Sequence, residues 1–115
     1  MKRPPRPGVK HSVYPVESAE RDLLEICGYV AAHDSKEKAE RLRDNLEKTI
    51  LKLAAMPDRG HFPPELERIG VREYREVFFK PYRIIYQLVR TDVFVFCVLD
   101  GRCDLQDILQ ERLLR

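Results

Sequence analysis

Five cations in the second half of the chain are the residues whose type and spacing best suggest a binding chemistry. They alternate with aromatic residues such as Tyr74 and Tyr82, and they are Arg72, Arg75, Lys80, Arg83 and Arg102. A guanidinium group presents a rigid fork of N–H donors that matches a carboxylate or a phosphate. The group therefore predicts a surface that recognises acidic partners. The alternative is that these cations only pair with nearby acids, such as Glu73, Glu76 and Asp100.

No motif of a common hydrolase accompanies these cations. The sequence lacks the Gly-x-Ser-x-Gly turn of a nucleophilic serine, a phosphate-binding glycine loop and the His-Glu-x-x-His pair of a metalloprotease. The three histidines have no ligand spacing, and the three cysteines form no Cys-x-x-Cys pair. We therefore expect no metal, no cofactor and no disulfide framework, which fits reduced thiols in the cytosol.

The first half of the chain predicts a short strand followed by two packed helices. Residues 9–16 have strand-like side chains and suit a sheet edge, because a proline lies near their end. Ser18 and Ser35 are the expected N-caps of the helices, and Pro57 ends the second helix. Two helices joined so closely should form an antiparallel hairpin. Their apolar positions are Leu23, Ile26, Cys27 and Val30, then Ala39, Leu42, Leu46, Ile50 and Leu53.

The second half predicts three strands and a final helix. The strands are expected at residues 71–79, 82–89 and 93–99, with turns short enough for an antiparallel meander, and the helix at 104–114. The last strand is apolar on both faces, as an interior strand would be. The element order is β-α-α-β-β-β-α. This order predicts an α+β fold with the helical hairpin packed on one face of an antiparallel sheet.

Strand alternation assigns the side chains of the middle strand to two faces. Tyr82, Ile84, Tyr86 and Leu88 share one face, and Arg83 lies on the other. If the first set packs against the helices, Tyr86 belongs to the core. Arg83 is then expected to project from the open face of the sheet, with Arg102 nearby.

Length and composition fit one domain with a modest core. The chain has 115 residues, of which 43% are hydrophobic and 35% charged, with a net charge of +2. Residues 1–8 contain three prolines and predict a flexible basic arm, so the domain is expected at residues 9–115. The longest uncharged apolar run, at residues 93–99, is too short to cross a membrane, and no signal-peptide core is present. We therefore expect a cytoplasmic protein.

Several segments resemble the RelE/ParE superfamily of bacterial toxins. The run Tyr-Arg-Ile-Ile-Tyr-Gln-Leu at residues 82–88 is similar to that superfamily's Tyr-Arg-Ile-x-Tyr-x-Val strand. The following strand ends in Asp-Gly-Arg at residues 100–102, similar to a His-Gly-Arg-type ending. The helix openings and the Met56-Pro57 pair followed by Gly60 also match, so that the resemblance covers residues 10–110. It implies the toxin of a type II toxin-antitoxin system, closer to ParE.

The resemblance implies two competing activities. ParE-like members bind DNA gyrase and stall it on cleaved DNA, whereas RelE-like members cut messenger RNA in the ribosomal A site. Arg83 has the position of the RelE transition-state arginine, and Arg102 is a candidate for the second one, so these two would be catalytic in a RelE-like enzyme. However, Glu76 is an acid where a phosphate would lie, and residues 104–115 contain no aromatic side chain. The stabilising cations and the catalytic tyrosine of a RelE-like enzyme thus have no counterpart at these positions, and their loss should greatly slow cleavage at a phosphate.

The gyrase hypothesis is therefore favoured, with all five cations as target-binding residues. Ribosome-dependent RNA cleavage remains the alternative, and an inactive binding domain of the same fold is a third. The resemblance also implies a cognate antitoxin that folds onto the toxin. Its docking sites are expected at the edge strand at residues 9–14 and at the apolar stripe Leu105/Ile108/Leu109. A homodimer that covers both surfaces is the alternative.

Overall fold

A four-stranded sheet with helices on both faces forms the protein in a computed structural model, which describes residues 11–113. The predicted arm at residues 1–8 lies outside this part of the chain. The strands are β1 (Ser12–Pro15), β2 (Arg75–Phe79), β3 (Tyr82–Val89) and β4 (Asp92–Asp100). The helices are α1 (Glu17–His33), α2 (Lys36–Leu51), α3 (Pro64–Glu67) and α4 (Leu105–Leu113), and a 3₁₀ turn at Lys52–Ala54 extends α2.

The sheet has the order β1-β4-β3-β2. Strands β2, β3 and β4 form the predicted antiparallel meander, and β4 is interior as expected. The edge strand β1 pairs with β4 in parallel, with Val13 opposite Val93. The sheet is thus mixed rather than wholly antiparallel. Helices α1 and α2 separate β1 from the other strands along the chain, so no hairpin turn joins β1 to β4 and the two strands can run in the same direction. The first meander strand begins at Arg75 rather than at residue 71.

The helical hairpin packs on one face of the sheet, which we call the near face. Leu23 of α1 and Leu46 of α2 contact a core that includes Ile84 and Tyr86 of β3. Tyr86 is fully buried, and its hydroxyl donates to the Pro57 carbonyl at 2.7 Å. The predicted hairpin, the near-face set on β3 and the core position of Tyr86 are therefore confirmed.

The two predicted helix caps have different outcomes. Ser35 caps α2 as expected, because its hydroxyl accepts from the Lys38 N–H at 3.1 Å. For α1 the prediction of Ser18 is wrong, since the N-cap is Val16. The Val16 N–H still donates to Val95 of β4 at 2.9 Å, so the helix begins as soon as the strand pairing ends. The Ser18 hydroxyl donates instead to the Phe96 carbonyl at 3.2 Å.

The opposite face of the sheet, which we call the far face, is covered by α3 and α4. Ile85 and Cys97 form a second core with Leu66 of α3 and with Leu105 and Leu109 of α4. Helix α3 was not predicted from the sequence. The prediction that the apolar stripe on α4 is a free docking surface for an antitoxin is wrong, because Leu105 and Leu109 are buried against the chain's own sheet.

Side chains cap β4 where β1 no longer covers it. A register irregularity opposite Ile85 and Tyr86 leaves Phe96 out of the pairing with β3. The Phe96 carbonyl accepts from Ser18 and from Arg112 of α4, each at 3.2 Å. The Val98 N–H donates to Asp22 of α1 at 3.0 Å, and Asp22 also accepts two hydrogen bonds from Arg112. Thus α1 and α4 meet at this edge through one ion pair.

Candidate functional site

Arg83 lies at the centre of the candidate site on the far face, but it is not exposed. Its side chain is 8% accessible to solvent. Nε and Nη2 donate to Glu76 Oε2 at 3.1 and 2.6 Å, while Nη1 and Nη2 donate to the two oxygens of Glu65 at 2.7 and 2.9 Å. The expectation that Arg83 projects from an open face is therefore wrong. The face is correct, but α3 places Glu65 over the guanidinium group.

The charges of this cluster stabilise one another. Hydrogen bonds from Arg83 lower the pKa of Glu65 to about 2, against the opposing effect of burial, with the Leu105 N–H contributing further. The same hydrogen bonds raise the pKa of Arg83 above its ordinary value. Both groups thus stay charged over the physiological range of pH. Four of the five N–H donors of Arg83 have carboxylate partners, which leaves little capacity for an added phosphate.

A histidine completes the cluster at the sheet edge. Glu76 is 1% exposed, and its second oxygen is 2.9 Å from His61 Nε2. His61 also forms an isolated antiparallel bridge with Glu76, and its ring lies 5.2 Å from that of Phe78. The sequence predicted pairing with Glu76 as the alternative for these cations, and for Arg83 this alternative is confirmed.

Arg102 follows the end of β4 and points into solvent. Its side chain is 91% exposed, and its Nε and Nη2 donate to the Asp100 carboxylate at 3.0 and 3.1 Å. These hydrogen bonds hold the pKa of Asp100 below its ordinary value. Because the arginine of this pair is almost fully exposed, its hydrogen bonds exchange readily with water, and Arg102 is available to an external acidic group.

The remaining three cations occupy two places. Arg72 and Arg75 lie against the ring of Phe62, with 5.8 and 4.6 Å between guanidinium carbon and ring centre. Arg75 also donates to the Gly60 carbonyl at 2.9 Å. Lys80 is exposed at the β2–β3 turn. Arg72 and Arg75 are therefore held as cation–π partners, whereas Lys80 forms no ion pair with another residue of the described range.

Part of the predicted group of five cations lines a shallow depression on the far face. Lys80 and Arg83 line it together with Gly101, the neighbour of Arg102. Among the other lining residues, the exposed Arg68 and Phe78 were not part of the predicted group. Arg72 and Arg75 do not line it. The depression has a neutralised arginine in its floor and exposed cations at its rim, an arrangement suited to binding rather than to phosphate chemistry.

Glu65 is the most important residue that the sequence prediction missed. It lies in the first turn of α3, which starts after Pro63 with Pro64 at the first position. Proline followed by acids is a typical start of a helix. This signal was present in the connector, but a four-residue helix has too little periodicity to be predicted with its contacts.

The described residues form neither a metal-binding cluster nor a membrane-spanning helix. Within residues 11–113, no three His, Cys, Asp or Glu side chains are arranged to hold a metal ion. None of the helices in this part of the chain has the length and apolar character required to cross a bilayer.

Comparison with known proteins places the chain in a sequence family. A family model described as the ParE toxin of the type II toxin-antitoxin system parDE matches residues 15–105. No curated protein matches the chain significantly by sequence. The family model thus covers most of the chain, including every strand of the sheet except the first three residues of β1.

Two solved structures have a similar fold. The chromosomal ParDE toxin-antitoxin system from P. aeruginosa aligns with a TM-score of 0.67 at 15% identity, over 81% of this chain and 98% of that one. The toxin-antitoxin complex RelBE2 from Mycobacterium tuberculosis aligns with a TM-score of 0.58 at 19% identity, over 84% of this chain and 97% of that one. At these identities the likeness establishes the fold, and the α+β prediction is confirmed.

Proposed function

The chain belongs to the ParE toxin family of type II toxin-antitoxin systems, and from this membership we propose that it arrests growth by binding and poisoning DNA gyrase. The action is a protein–protein contact and requires no bond-making step by the toxin. The burial and neutralisation of Arg83 is the observation that carries this choice.

Burial of Arg83 argues against RNA cleavage of the RelE type. Such cleavage requires a cation that meets the negative charge developing on a phosphate in the transition state. Here the guanidinium group would first have to leave two carboxylates at 2.6–3.1 Å. Removing a buried cation from such partners is strongly unfavourable, because it leaves carboxylates buried without compensation. A binding function imposes no such requirement.

The proposed target contacts divide according to exposure. Lys80 forms no ion pair within the described residues, and Arg102 is exposed beside its partner Asp100, so both can meet acidic groups of the target. Arg83 supports the surface from below, where it fixes α3 on the sheet through Glu65. Arg72 and Arg75 contribute from the separate position around Phe62. Exposed arginine and aromatic groups are common among residues that dominate binding energy at interfaces.

A cognate antitoxin is the second proposed partner, and the two proteins are proposed to interact in the cytoplasm. The two similar structures are described as a toxin-antitoxin system and a toxin-antitoxin complex, which supports this proposal. The edge strand β1 remains a candidate docking site, next to an apolar groove between α1 and α2 that includes Leu24 and Leu51. The stripe on α4 is not a candidate, since its leucines are buried in the toxin itself.

Induction of the chain alone in a bacterial host tests the function. Messenger-RNA integrity and DNA breakage are followed in the same culture, and purified gyrase is assayed for cleaved DNA with the purified chain. We expect broken DNA with intact transcripts. Transcripts cut at ribosomal A-site codons with intact DNA would establish the endoribonuclease alternative. Growth without harm would establish the inactive binding domain.

Charge reversal tests the proposed contacts. The double variant Lys80→Glu and Arg102→Glu should lose gyrase poisoning, because both changes put an acid where the target is proposed to present one. The double variant Lys36→Glu and Arg41→Glu is the control with the same change in net charge, since both residues are exposed on α2 and form no ion pair within the described part of the chain. Equal loss in the control would show that net charge, not this surface, governs the interaction.

A further inference from the structure

The exposed cations of the helical hairpin are of two kinds. Three of them form an ion pair with an acid four residues away, at nitrogen–oxygen distances of 2.9–3.1 Å. These pairs are Arg21 with Glu17, Lys38 with Asp34, and Arg43 with Glu47. Lys48 and Lys52 differ, because each has the other lysine four residues away, and neither forms an ion pair within residues 11–113. Like charges at this spacing repel each other, so the end of α2 keeps a locally unfavourable contact.

The two lysines lie beside a shallow depression on the outer side of α2. Both are exposed, and the other residues that line the depression are Asn45, Thr49, Leu51 and Phe79. The Thr49 hydroxyl donates to the backbone carbonyl of Asn45 at 2.8 Å, so the side-chain amide of Asn45 is the neutral donor offered here. The lining residues include two ammonium groups and no carboxylate, which suits a negatively charged ligand.

Further positive charge lies close to this depression. Phe79 in its wall is followed by Lys80, one of the proposed gyrase contacts. The His11 N–H donates to the Ala54 carbonyl at 2.6 Å, so the chain that precedes His11 begins close to Lys52. Residues 1–10 contain no acid and four cations, which are Lys2, Arg3, Arg6 and Lys10. Cations from three parts of the sequence are thus attached at one end of the molecule.

The kind of cation indicates which negatively charged partner this surface fits. In the described residues the depression presents lysines, whose compact ammonium groups bind a phosphate as point charges. Lysine is depleted in protein–protein interfaces, where arginine and aromatic groups are enriched. Contacts to nucleic-acid phosphates instead come from lysine and arginine together with neutral side chains such as asparagine and threonine. The surface therefore matches a phosphate backbone better than an acidic protein.

We propose that Lys48, Lys52 and Asn45 bind the phosphate backbone of duplex DNA. The inference rests on the proposed function, since the DNA is the segment that gyrase holds while the toxin is bound beside it. Lys80 lies next to this surface, so the contacts to DNA and to gyrase adjoin each other. Phosphate contacts fix position and orientation without reading the base sequence, so we expect binding to be independent of sequence.

Fluorescence anisotropy of a labelled DNA duplex, titrated with the whole chain in the absence of gyrase, tests this proposal. Each phosphate contact adds about 0.9 to the slope of log affinity against log salt. The double variant Lys48→Gln and Lys52→Gln should therefore lower this slope by about 1.8, and weaken binding at least about tenfold at 50 mM salt. Lys36→Gln with Arg41→Gln is the matched control, because it removes the same charge from the other half of α2 and should keep the slope.

Three outcomes would overturn the proposal. The first is no binding of the duplex at about 50 mM salt, the condition that favours phosphate contacts. The second is an equal slope for the lysine double variant and its control. The third is displacement of DNA by a polyglutamate peptide as efficiently as by unlabelled duplex of the same charge, which would assign the surface to an acidic protein. Circular dichroism and thermal melting of both variants verify that lost binding is not lost fold.

Gyrase poisoning by the same proteins separates this inference from the proposed function. If the wild-type chain binds DNA through the two lysines but does not poison gyrase, the proposed function fails and the DNA surface stands. If the chain poisons gyrase but its affinity for DNA does not depend on Lys48 and Lys52, the DNA surface fails and the proposed function stands.

Discussion

The side chain of Glu65 determines what Arg83 can do, although the two residues are 18 positions apart. Strand alternation assigns Arg83 to the far face from the sequence alone. Its burial could not be predicted, because the carboxylate that covers it comes from a four-residue helix in an irregular connector. The same residue therefore illustrates what periodicity resolves, the face of a strand, and what it does not, the neighbours on that face.

Acid titration should reveal the contribution of Glu65 to stability. Its pKa of about 2 in the folded chain lies below the ordinary 4.5. The ionised group thus stabilises the fold above its unfolded pKa, and this contribution is lost as the pH falls toward about 2. Glu65→Gln should lower the free energy of unfolding by about 2–3 kcal/mol at neutral pH. Urea unfolding at several pH values should show the difference from wild type shrinking as the pH falls.

Glu67→Gln is the control for this experiment. Glu67 is exposed in the same short helix. Its replacement should leave the unfolding free energy within about 0.5 kcal/mol of wild type. A difference between Glu65→Gln and wild type that stays constant from neutral to acid pH would contradict the role of the ionised carboxylate.

A pair of glycine substitutions should have opposite effects. A Cβ at Gly60 would lie 2.6 Å from both the Glu76 carbonyl oxygen and the Tyr86 hydroxyl, so Gly60→Ala must move the connector away from β2. We expect a loss of about 2 kcal/mol or more in unfolding free energy. Gly28 lies within α1, and a Cβ there meets nothing within 4 Å. Gly28→Ala should stabilise the chain by about 0.5–1 kcal/mol in the same denaturation assay, and a destabilised variant would contradict this.

Elements with strong local signals were predicted well. Helix α2 begins after Ser35 and shows its apolar face at regular spacing, and the order of the main elements follows from such signals. The cap of α1 was missed because pairing of Val16 with β4, a long-range contact, ends β1 and starts the helix. The parallel direction of β1 was missed for the same reason, since a four-residue strand does not encode its partner.

The contact between α1 and α4 gives a prediction at the scale of elements. Asp22→Ala would leave the Val98 N–H without its acceptor and Arg112 without its carboxylate. We expect a loss of about 2–4 kcal/mol in unfolding free energy, with faster amide exchange at Val98. Glu25→Ala, an exposed change on the same helix, is the control. If both variants exchange equally slowly at Val98, the side-chain cap does not protect this edge of β4.

The whole molecule is a sheet covered on both faces, and only one of the two layers was predicted. The hairpin of α1 and α2 follows from paired amphipathic patterns, which need a common apolar surface. Docking of α4 on the far face involves Leu105 and Leu109, which the sequence offers equally to a partner protein. A short apolar stripe does not specify whether it packs within its own chain or against another one.

Neutralising the whole Arg83 cluster would separate the two toxin mechanisms without unfolding the protein. Arg83→Ala alone is unsuitable, because two carboxylates would stay buried without a cation, at a cost of about 3–5 kcal/mol. The triple variant Arg83→Met, Glu65→Gln and Glu76→Gln removes all three charges, and replacing a buried ion network as a unit is often nearly neutral in stability. The amide oxygen that Glu65→Gln introduces can still accept from the Leu105 N–H, which Glu65 now binds.

A gyrase poison that acts through exposed cations should keep its toxicity and its DNA breaks in this variant, once thermal melting shows a folded chain. If toxicity disappears while the fold persists, Arg83 itself must contact the target, and RNA cleavage would become the favoured mechanism.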